Sequence, residues 1–322
     1  MKNCRLSTDN RIGNSEYPRI TIITPSYNQG QFIEETICSV LMENYPNLEY
    51  IITDGGSTDN SVEIIKKYEK HLAYWVSEPD RGQTHAINKG IARATGDILA
   101  YLNSDDYYLS GTLFKVAEYF RQFPQTDLLH GRCRYVNEQG EKIGEQFANI
   151  QSFAEIIDLW GIWWQERQFV QPEVFWSRRI TEQIGHFRED LHYVMDYEYW
   201  CRILKAGGVV GRLDAELTCF RFTSTQKSNH SEAVADELLQ VVQPWLWSHQ
   251  TVLPQKDRSR LQGQWLYQAV LMKQIEQSVQ KGDHKYIRWL KSAFAVMQCP
   301  QLLFVSSFQE RAKHFFSRLS IN

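Results

Sequence analysis

Four strand-like runs alternate with helical patterns between residues 19 and 122, and this alternation narrows the fold more than any other feature. RITIITPSY (19–27) is rich in β-branched residues and stops at Pro25. QFIEETICSVLMEN (31–44) carries Phe32, Ile33, Ile37, Val40 and Leu41 at helical spacing. NLEYIITDGG (47–56), AYWVSEPD (73–80) and GDILAYLN (96–103) read as three more strands. They are separated by a helix ending near Tyr68, which Asp59 or Ser57 is suited to cap, and by a helical pattern over 83–94. A further helix is expected over 111–122. Strands alternating with helices of this length imply βαβ units and a mainly parallel sheet.

In such sheets ligands bind beyond the carboxyl ends of the strands. Those ends read TPSYN, TDGGSTD, SEPDRG and LNSDD. Turn chemistry explains part of this polarity. Carboxylates at three of the four ends are more than turns require. Asn103, Asp105 and Asp106 suit a strand-to-helix turn in which an aspartate caps the helix. They equally suit a site for Mg²⁺ or Mn²⁺, which take hard oxygen ligands. Asp54 fits an Asx-turn. It also fits an acceptor for a base N–H or a ribose hydroxyl, with glycines behind it that let a flat ligand approach the backbone.

Further along, residues 128–145 resemble a hairpin turning at NEQGEK, and 151–160 look helical. GIWWQERQFVQPEVFWSRR (161–179) places large aromatics among polar groups, suited to stacking on sugar rings or to filling a core. Trp164 and Gln171 are its acceptor-side candidates. YVMDYEYWCRILKAGG (193–208) reads as a helix with Tyr193, Tyr197 and Trp200 on one face and Asp196 at the edge of that face. A carboxylate among aromatics is partly desolvated, which raises its pKa and suits it to accept a proton near neutral pH. An ordinary solvated acid at a helix start is the plainer reading. Beyond residue 231 the pattern is helical, without strand signals.

These motifs, in this order, resemble family 2 glycosyltransferases. ITIITPSYNQGQFIEETICSVLMENYPNLEYIITDGGSTDNS is similar to the opening of that family, and SEPDRGQTHAINKGIARATGDILAYLNSDD to its continuation. QPEVFWSRR and LHYVMDYEYWCRI resemble its acceptor half. The likeness covers about residues 18–228. It implies the GT-A fold, a Rossmann-like α/β architecture with a mainly parallel sheet flanked by helices, followed by a helical extension. It implies a glycosyltransferase domain over 18–230 (nucleotide-sugar half 18–106, acceptor half 107–230); residues 1–17 read by their polarity as a tail, and 231–322 by their pattern as a helical region. The implied activity is inverting transfer of one sugar from a nucleotide-sugar to a hydroxyl acceptor. Carried over by position, Pro25 and Tyr27 line the base pocket, Asp54 contacts the base, and Arg81 lies near the nucleotide. The family's aspartate–any–aspartate motif falls on Asn103, Ser104 and Asp105. Asp105 is then the ligand of Mn²⁺ or Mg²⁺, and Asp196 the base. The chain departs from the family at Asn103, where many members have aspartate, and at Thr223, near the place of a metal-binding histidine; His230 lies further on. It has no QxxRW-like motif with a membrane span behind it, in contrast to processive synthases. A UDP-sugar is the expected donor, with dTDP- and GDP-sugars as alternatives, and a glycan or lipid-linked glycan the expected acceptor.

The composition excludes little else. With 43% hydrophobic and 23% charged residues the chain can bury a sizeable core, and a net charge of −3 gives no sign of a nucleic-acid partner. The cysteines at 4, 38, 133, 201, 219 and 299 form no CxxC pair. MKNCRLSTDNR lacks the apolar stretch of a signal peptide, which fits a reducing, cytoplasmic setting. TPSYNQG lacks the GxGxxG of a dinucleotide oxidoreductase. A nucleotidyltransferase would be expected to carry an early glycine- and lysine-rich loop. A non-catalytic relative that binds nucleotide-sugar or scaffolds a partner remains the other reading. Residues 281–322 carry seven lysines and arginines against two acids, interleaved with Leu302, Leu303, Phe304, Phe308, Phe315 and Phe316. Such a segment suits an anionic membrane surface or packing on the catalytic domain.

Overall fold

The first strand, β1 (Ile20–Ser26), is buried along its whole length. That is the pattern of a central parallel strand covered on both faces, and it explains why the segment reads as a near-continuous apolar run. The computed structural model describes residues 17–224, 226–227, 230–248, 252–267 and 269, with the side chain of Trp164 left out. The polar tail over 1–16 and the basic segment over 281–322 lie outside the described residues.

From β1 the chain alternates through α1 (Ile33–Leu41), β2 (Leu48–Asp54), α2 (Ser61–Tyr68), β3 (Tyr74–Ser77), α3 (Gln83–Ile91) and β4 (Ile98–Tyr101). β1 pairs in parallel with β2 on one side and β4 on the other, and β2 with β3. The helix α3 lies directly on the sheet. A Cβ at Gly90 would stand 3.0 Å from Ile23 Cγ1 and nearer still to Cγ2, so only glycine permits this approach.

Next come β5 (Tyr107–Tyr108), α4 (Thr112–Gln122), β6 (Leu128–Val136), β7 (Lys142–Gln146), α5 (Phe153–Ile156), β8 (Val174–Ser177), α6 (Arg178–Ile184), α7 (Met195–Lys205) and β9 (Val210–Arg221). The sheet order is β3-β2-β1-β4-β8-β6-β9-β5, with β7 on β6. β8 joins β4 and β6 antiparallel, β6 and β9 are parallel, and β5 and β7 are antiparallel additions. Parallel pairing makes up most of the sheet.

Several elements differ from the sequence-based expectation. The expected helix over 151–160 is a single turn, α5. The helix expected from residue 193 begins at Met195, so Tyr193 lies outside it; it ends at Lys205, and Gly207 follows the cap residue Ala206 with φ +82°, as after a helix stop. Asp59 does not occupy the cap of α2, whose N-cap is Asn60. Its carboxylate takes the amides of Ser61 (2.9 Å) and Gly30 (2.9 Å) and so ties two loops together.

Contacts divide the chain into two compact units, residues up to 156 with 161–231, and residues 157–160 with those from 232 on. The described part of the second unit is helical. α8 (Ser231–Trp247) and α9 (Gln255–Leu266) bury Leu238, Val242, Leu246 and Leu261. Trp265 Nε1 donates to the Leu239 carbonyl (2.9 Å), and Arg260 pairs with Asp158 (2.6 Å). Among the described residues no helix is long and apolar enough to cross a membrane.

Candidate active site

The strand order reverses beside β1: the chain runs outward through β2 and β3, then returns to the other side of β1 with β4. Such a switch point opens a crevice at the carboxyl ends of the strands. In this protein a cavity of about 840 Å³ lies there. All four strand ends reach it, through Pro25 and Tyr27, Gly55 and Gly56, Pro79 and Asp80, and Asn103 to Asp106.

The loops after β1 and β2 are stitched together. The Asn28 amide donates to Ser57 Oγ (2.8 Å), and Asn28 Oδ1 accepts from the Thr58 amide (2.8 Å). Asn28 has φ +51°, a backbone state that asparagine tolerates better than most residues. Tyr27 is left 60% exposed at the rim, although it is a large aromatic side chain.

Asp54 behaves differently from the sequence-based expectation. It is fully buried and does not line the cavity. Its Oδ1 accepts from Ser57 Oγ (2.5 Å), and its Oδ2 accepts from Ser77 Oγ (2.7 Å) and from the amides of Ser57 (2.9 Å) and Gly56 (3.1 Å). The carboxylate is used up in shaping its own turn, and Gly55, Gly56 and Asp80 present to the cavity instead. Arg81 is likewise turned away: its guanidinium pairs with Glu189 (2.5 Å), while its neighbours Asp80 and Gly82 line the wall.

The exit of β4 forms the floor. Asn103 is locked between two glutamines, accepting from Gln83 Nε2 (2.7 Å) and donating to Gln171 Oε1 (3.1 Å). Gln171 in turn donates to the Tyr101 carbonyl (2.6 Å), so a residue from the second half of the domain fixes the strand end of the first. Ser104 is buried at the cavity wall. Asp105 lines the cavity, and burial raises its carboxyl above the ordinary range against the opposing charge of Arg221. Asp106 is buried beside it. Its Oδ1 takes the Arg221 amide (2.8 Å) and its Oδ2 has no partner. Burial and then the charge of Asp105 raise its pKa well above the usual value.

Among the described residues no three histidines, cysteines or acids gather as a complete metal cage. Mg²⁺-type ions are commonly held by one or two carboxylates, with phosphate oxygens and water completing the shell. Two adjacent acids, one with an orphaned buried oxygen, fit that sparse kind of site. Thr223 is buried, hydrogen-bonds Gln226 through its amide (2.9 Å) and does not line the cavity. The His230 ring packs 6.1 Å from that of Tyr193.

The opposite wall comes from the second half of the domain. Asp196 lies in the first turn of α7 and faces the cavity, its Oδ1 accepting from the Tyr197 amide (2.7 Å). Glu198 is buried away from the cavity against Arg202 (2.9 Å). His192, Tyr193, Phe220, Gln226 and Lys227 also reach the wall. Sequence reasoning placed Tyr193 beside Asp196 but missed the other four, because nothing in their local pattern marks them. It missed Gln83 and Asp80 too, although the acid-bearing SEPDRG end already pointed to Asp80.

The model of the family described as "Glycosyl transferase family 2" matches residues 21–188, more than half of the chain. The chain belongs to that family. Among curated family 2 relatives, TuaG of Bacillus subtilis (strain 168), a protein named for teichuronic acid biosynthesis, is 39% identical over 110 residues, covering 33% of this chain and 43% of TuaG. An uncharacterized glycosyltransferase of Haemophilus influenzae is 33% identical over 129 residues, covering 39% of this chain and 51% of that protein. The chain thus spans about half the length of these relatives or less. Among solved structures, Staphylococcus aureus TarS 1-349 in complex with UDP-GlcNAc superposes with a TM-score of 0.61 at 17% identity, over 77% of this chain and 71% of that one. The mannosyltransferase PcManGT from Pyrobaculum calidifontis, in complex with GDP-Man and Mn²⁺, gives 0.59 at 17% identity over 92% and 85%. At that identity the likeness speaks for the fold, which is of the GT-A type.

Proposed function

We infer that this family 2 protein is an inverting glycosyltransferase that moves a single sugar from a nucleoside-diphosphate sugar to a hydroxyl group of a glycan or lipid-linked glycan. The observation that carries the reading is one cavity at the switch point, with Asp105 on its floor and Asp196 on its far wall. Pro25 and Tyr27 flank the base, with Gly55 and Gly56 allowing close approach. Asp54 acts indirectly, by fixing the loop that carries those glycines. Asn103 and Ser104 face the ribose and diphosphate, and Gln171 holds Asn103 in place.

Asp196 accepts the proton of the acceptor hydroxyl. The oxygen then attacks the anomeric carbon from the face opposite the diphosphate. The bond to the diphosphate breaks, its electron pair leaves with the nucleoside diphosphate, and the configuration inverts. Asp105 would hold Mn²⁺ or Mg²⁺, which supplies positive charge beside the departing diphosphate. His192, Tyr193 and Phe220 bound the acceptor side. Base assistance of this kind is worth about 10²- to 10⁴-fold in rate.

Calorimetry with UDP, GDP and dTDP, in Mn²⁺ and then in EDTA, tests the donor site and selects the nucleotide. Asp196→Asn should bind that nucleotide as the wild type does and lose turnover by about 10²-fold or more. Unchanged turnover would remove Asp196 as the base. The Asn103 amide, which brings no charge to the floor, favours a second reading, a relative that binds nucleotide-sugar without transferring it. Nucleotide binding without transfer to any glycan tried would favour that reading.

A further inference from the structure

Arg221 ends β9 and does not line the cavity, yet several polar groups from different elements meet on it. Its side chain is 3% exposed. Nε donates to the Asp105 carbonyl (3.0 Å), Nη1 to the Glu138 carbonyl in the β6–β7 turn (2.9 Å), and Nη2 to Glu35 Oε2 on α1 (2.5 Å). Its backbone amide donates to Asp106 Oδ1 (2.8 Å). The guanidinium lies 4.9 Å from the centre of the Phe32 ring and 5.3 Å from that of Tyr107. The exit of β4, the start of α1, the hairpin turn and the end of β9 therefore meet on one residue. The other supports of the Asp105–Asp106 turn are few: Thr36 Oγ1 on the Asp106 carbonyl (2.7 Å), the Asp106 amide on the Asn103 carbonyl (3.1 Å), and the two-residue strand β5.

Each arm of this fork goes to a different element. A planar guanidinium can satisfy three acceptors in fixed directions, whereas a lysine ammonium brings the charge without that geometry. Charge alone would have been met by either residue. The arrangement uses the shape.

We propose that Arg221 is a positioning residue that fixes the Asp105 turn so that the Asp105 carboxylate can hold a divalent cation against the donor's diphosphate. Arg221 touches neither the donor nor the reacting atoms in this scheme, and its effect passes through the backbone of Asp105. The inference rests on the donor-site reading given above. It explains why a floor with few charged ligands can still serve: a turn of two adjacent acids held rigidly loses less on binding than ligands that must be gathered.

The test compares wild type, Arg221→Lys and Glu35→Gln. For each, the affinity for the nucleoside diphosphate that wild type binds (UDP, GDP or dTDP) is measured by calorimetry in Mn²⁺ and in EDTA, beside the melting temperature. Arg221→Lys should lose about 10- to 100-fold of affinity in Mn²⁺ and change by less than about twofold in EDTA, the size of loss seen when groups that orient metal ligands are removed. Glu35→Gln, which leaves the arms to Asp105 and Glu138 in place, should show a smaller loss with the same metal dependence. A folded Arg221→Lys that keeps the full gain from Mn²⁺, or that loses affinity equally with and without metal, overturns the inference. If Arg221→Lys does not fold, Glu35→Gln decides, and an unchanged gain from Mn²⁺ overturns it. Wild type that binds nucleotide equally in Mn²⁺ and EDTA overturns this inference alone. Wild type that binds none of the three nucleotides overturns the donor-site reading and this inference with it.

Discussion

His130 on β6 should make the stability of this protein fall as the solution is acidified. The residue is fully buried. Nδ1 lies 3.3 Å from the Gly131 carbonyl, which can only accept, so Nδ1 carries the proton of the neutral ring. Nε2 is buried without a partner, and the rings of Phe169 (4.9 Å) and Phe147 (6.0 Å) pack nearby. A second proton would bury a charge there. Burial therefore pulls the pKa down to about 4, with the Gly131 carbonyl opposing and the charge of Arg212 adding to the fall. The folded value is lower than the unfolded one, about 6.5. The unfolded chain thus binds more protons between those values, and stability rises with pH across that window. The contribution is complete above about pH 6.5 and is lost progressively toward pH 4. At about 1.4 kcal/mol per unit, going from pH 7.5 to pH 5 removes about 2 kcal/mol. His130→Phe keeps a ring between the two phenylalanines and cannot take the proton. Urea unfolding of both proteins at the two pH values isolates the term. The buried carboxyls of Glu173 and Glu43 are also shifted by burial, but they are common to both proteins and cancel in the difference. Wild type should lose about 2 kcal/mol more than the variant. An equal loss, or a His130 imidazole that titrates near pH 6.5 by NMR in the folded state, would refute the reasoning.

Two further perturbations separate roles that the sequence leaves merged. Asp54→Asn replaces an acceptor-only group by one that must turn a donor either toward the Ser57 and Gly56 amides and the Ser77 hydroxyl, or toward the Ser57 hydroxyl. It should cost about 1–3 kcal/mol of stability along with nucleotide affinity, and a variant with weaker nucleotide binding but an unchanged melting temperature would show that Asp54 contacts the base directly. Gly90→Ala sets about 1–3 kcal/mol of overpacking against Ile23 against a gain of about 1 kcal/mol in helix propensity. Calorimetric melting should show a net loss, and a more stable variant would mean that α3 can lift from β1.

The first half of the fold was legible because its strands are central and parallel. Such strands are buried on both faces and read as apolar runs, and glycines and polar residues mark their ends. In the second half only the β6–β7 hairpin was legible, and β5, β8 and β9 were not read as strands. β5 is only two residues long. β9 alternates Arg212, Asp214 and Glu216 with Leu213, Ala215 and Leu217, the period of a half-buried strand, yet the sequence reading did not assign it. Asp214 and Glu216 are at home there because Arg132 and Arg134 on β6 pair with them, some eighty positions earlier in the chain. The period can be read from the window of β9 itself, but a partner strand that remote cannot.

The candidate site divides along the same line, and Asp54 and Asp105 show why. Both are acids at the end of a parallel strand, and both sit beside turn residues. The loop TDGGSTD supplies Asp54 with a hydroxyl and two amides within three residues, and Ser77 adds another hydroxyl from the neighbouring strand end. The polarity that marks the loop as a place for a ligand also satisfies its carboxylate. LNSDD does the reverse. The residue after Asp105 is a second acid, and the nearest positive charge, Arg221, spends its side-chain donors on carbonyls and on Glu35. Two acids are thereby placed side by side, and burial pushes both carboxyls upward, the charge of Asp105 adding to the rise at Asp106 while Arg221 opposes it at both. Desolvated acids in that state gain most from a cation brought by a ligand. What separates Asp105 from Asp54 is the supply of donors around it, and that supply depends on where hydroxyls and amides point after folding.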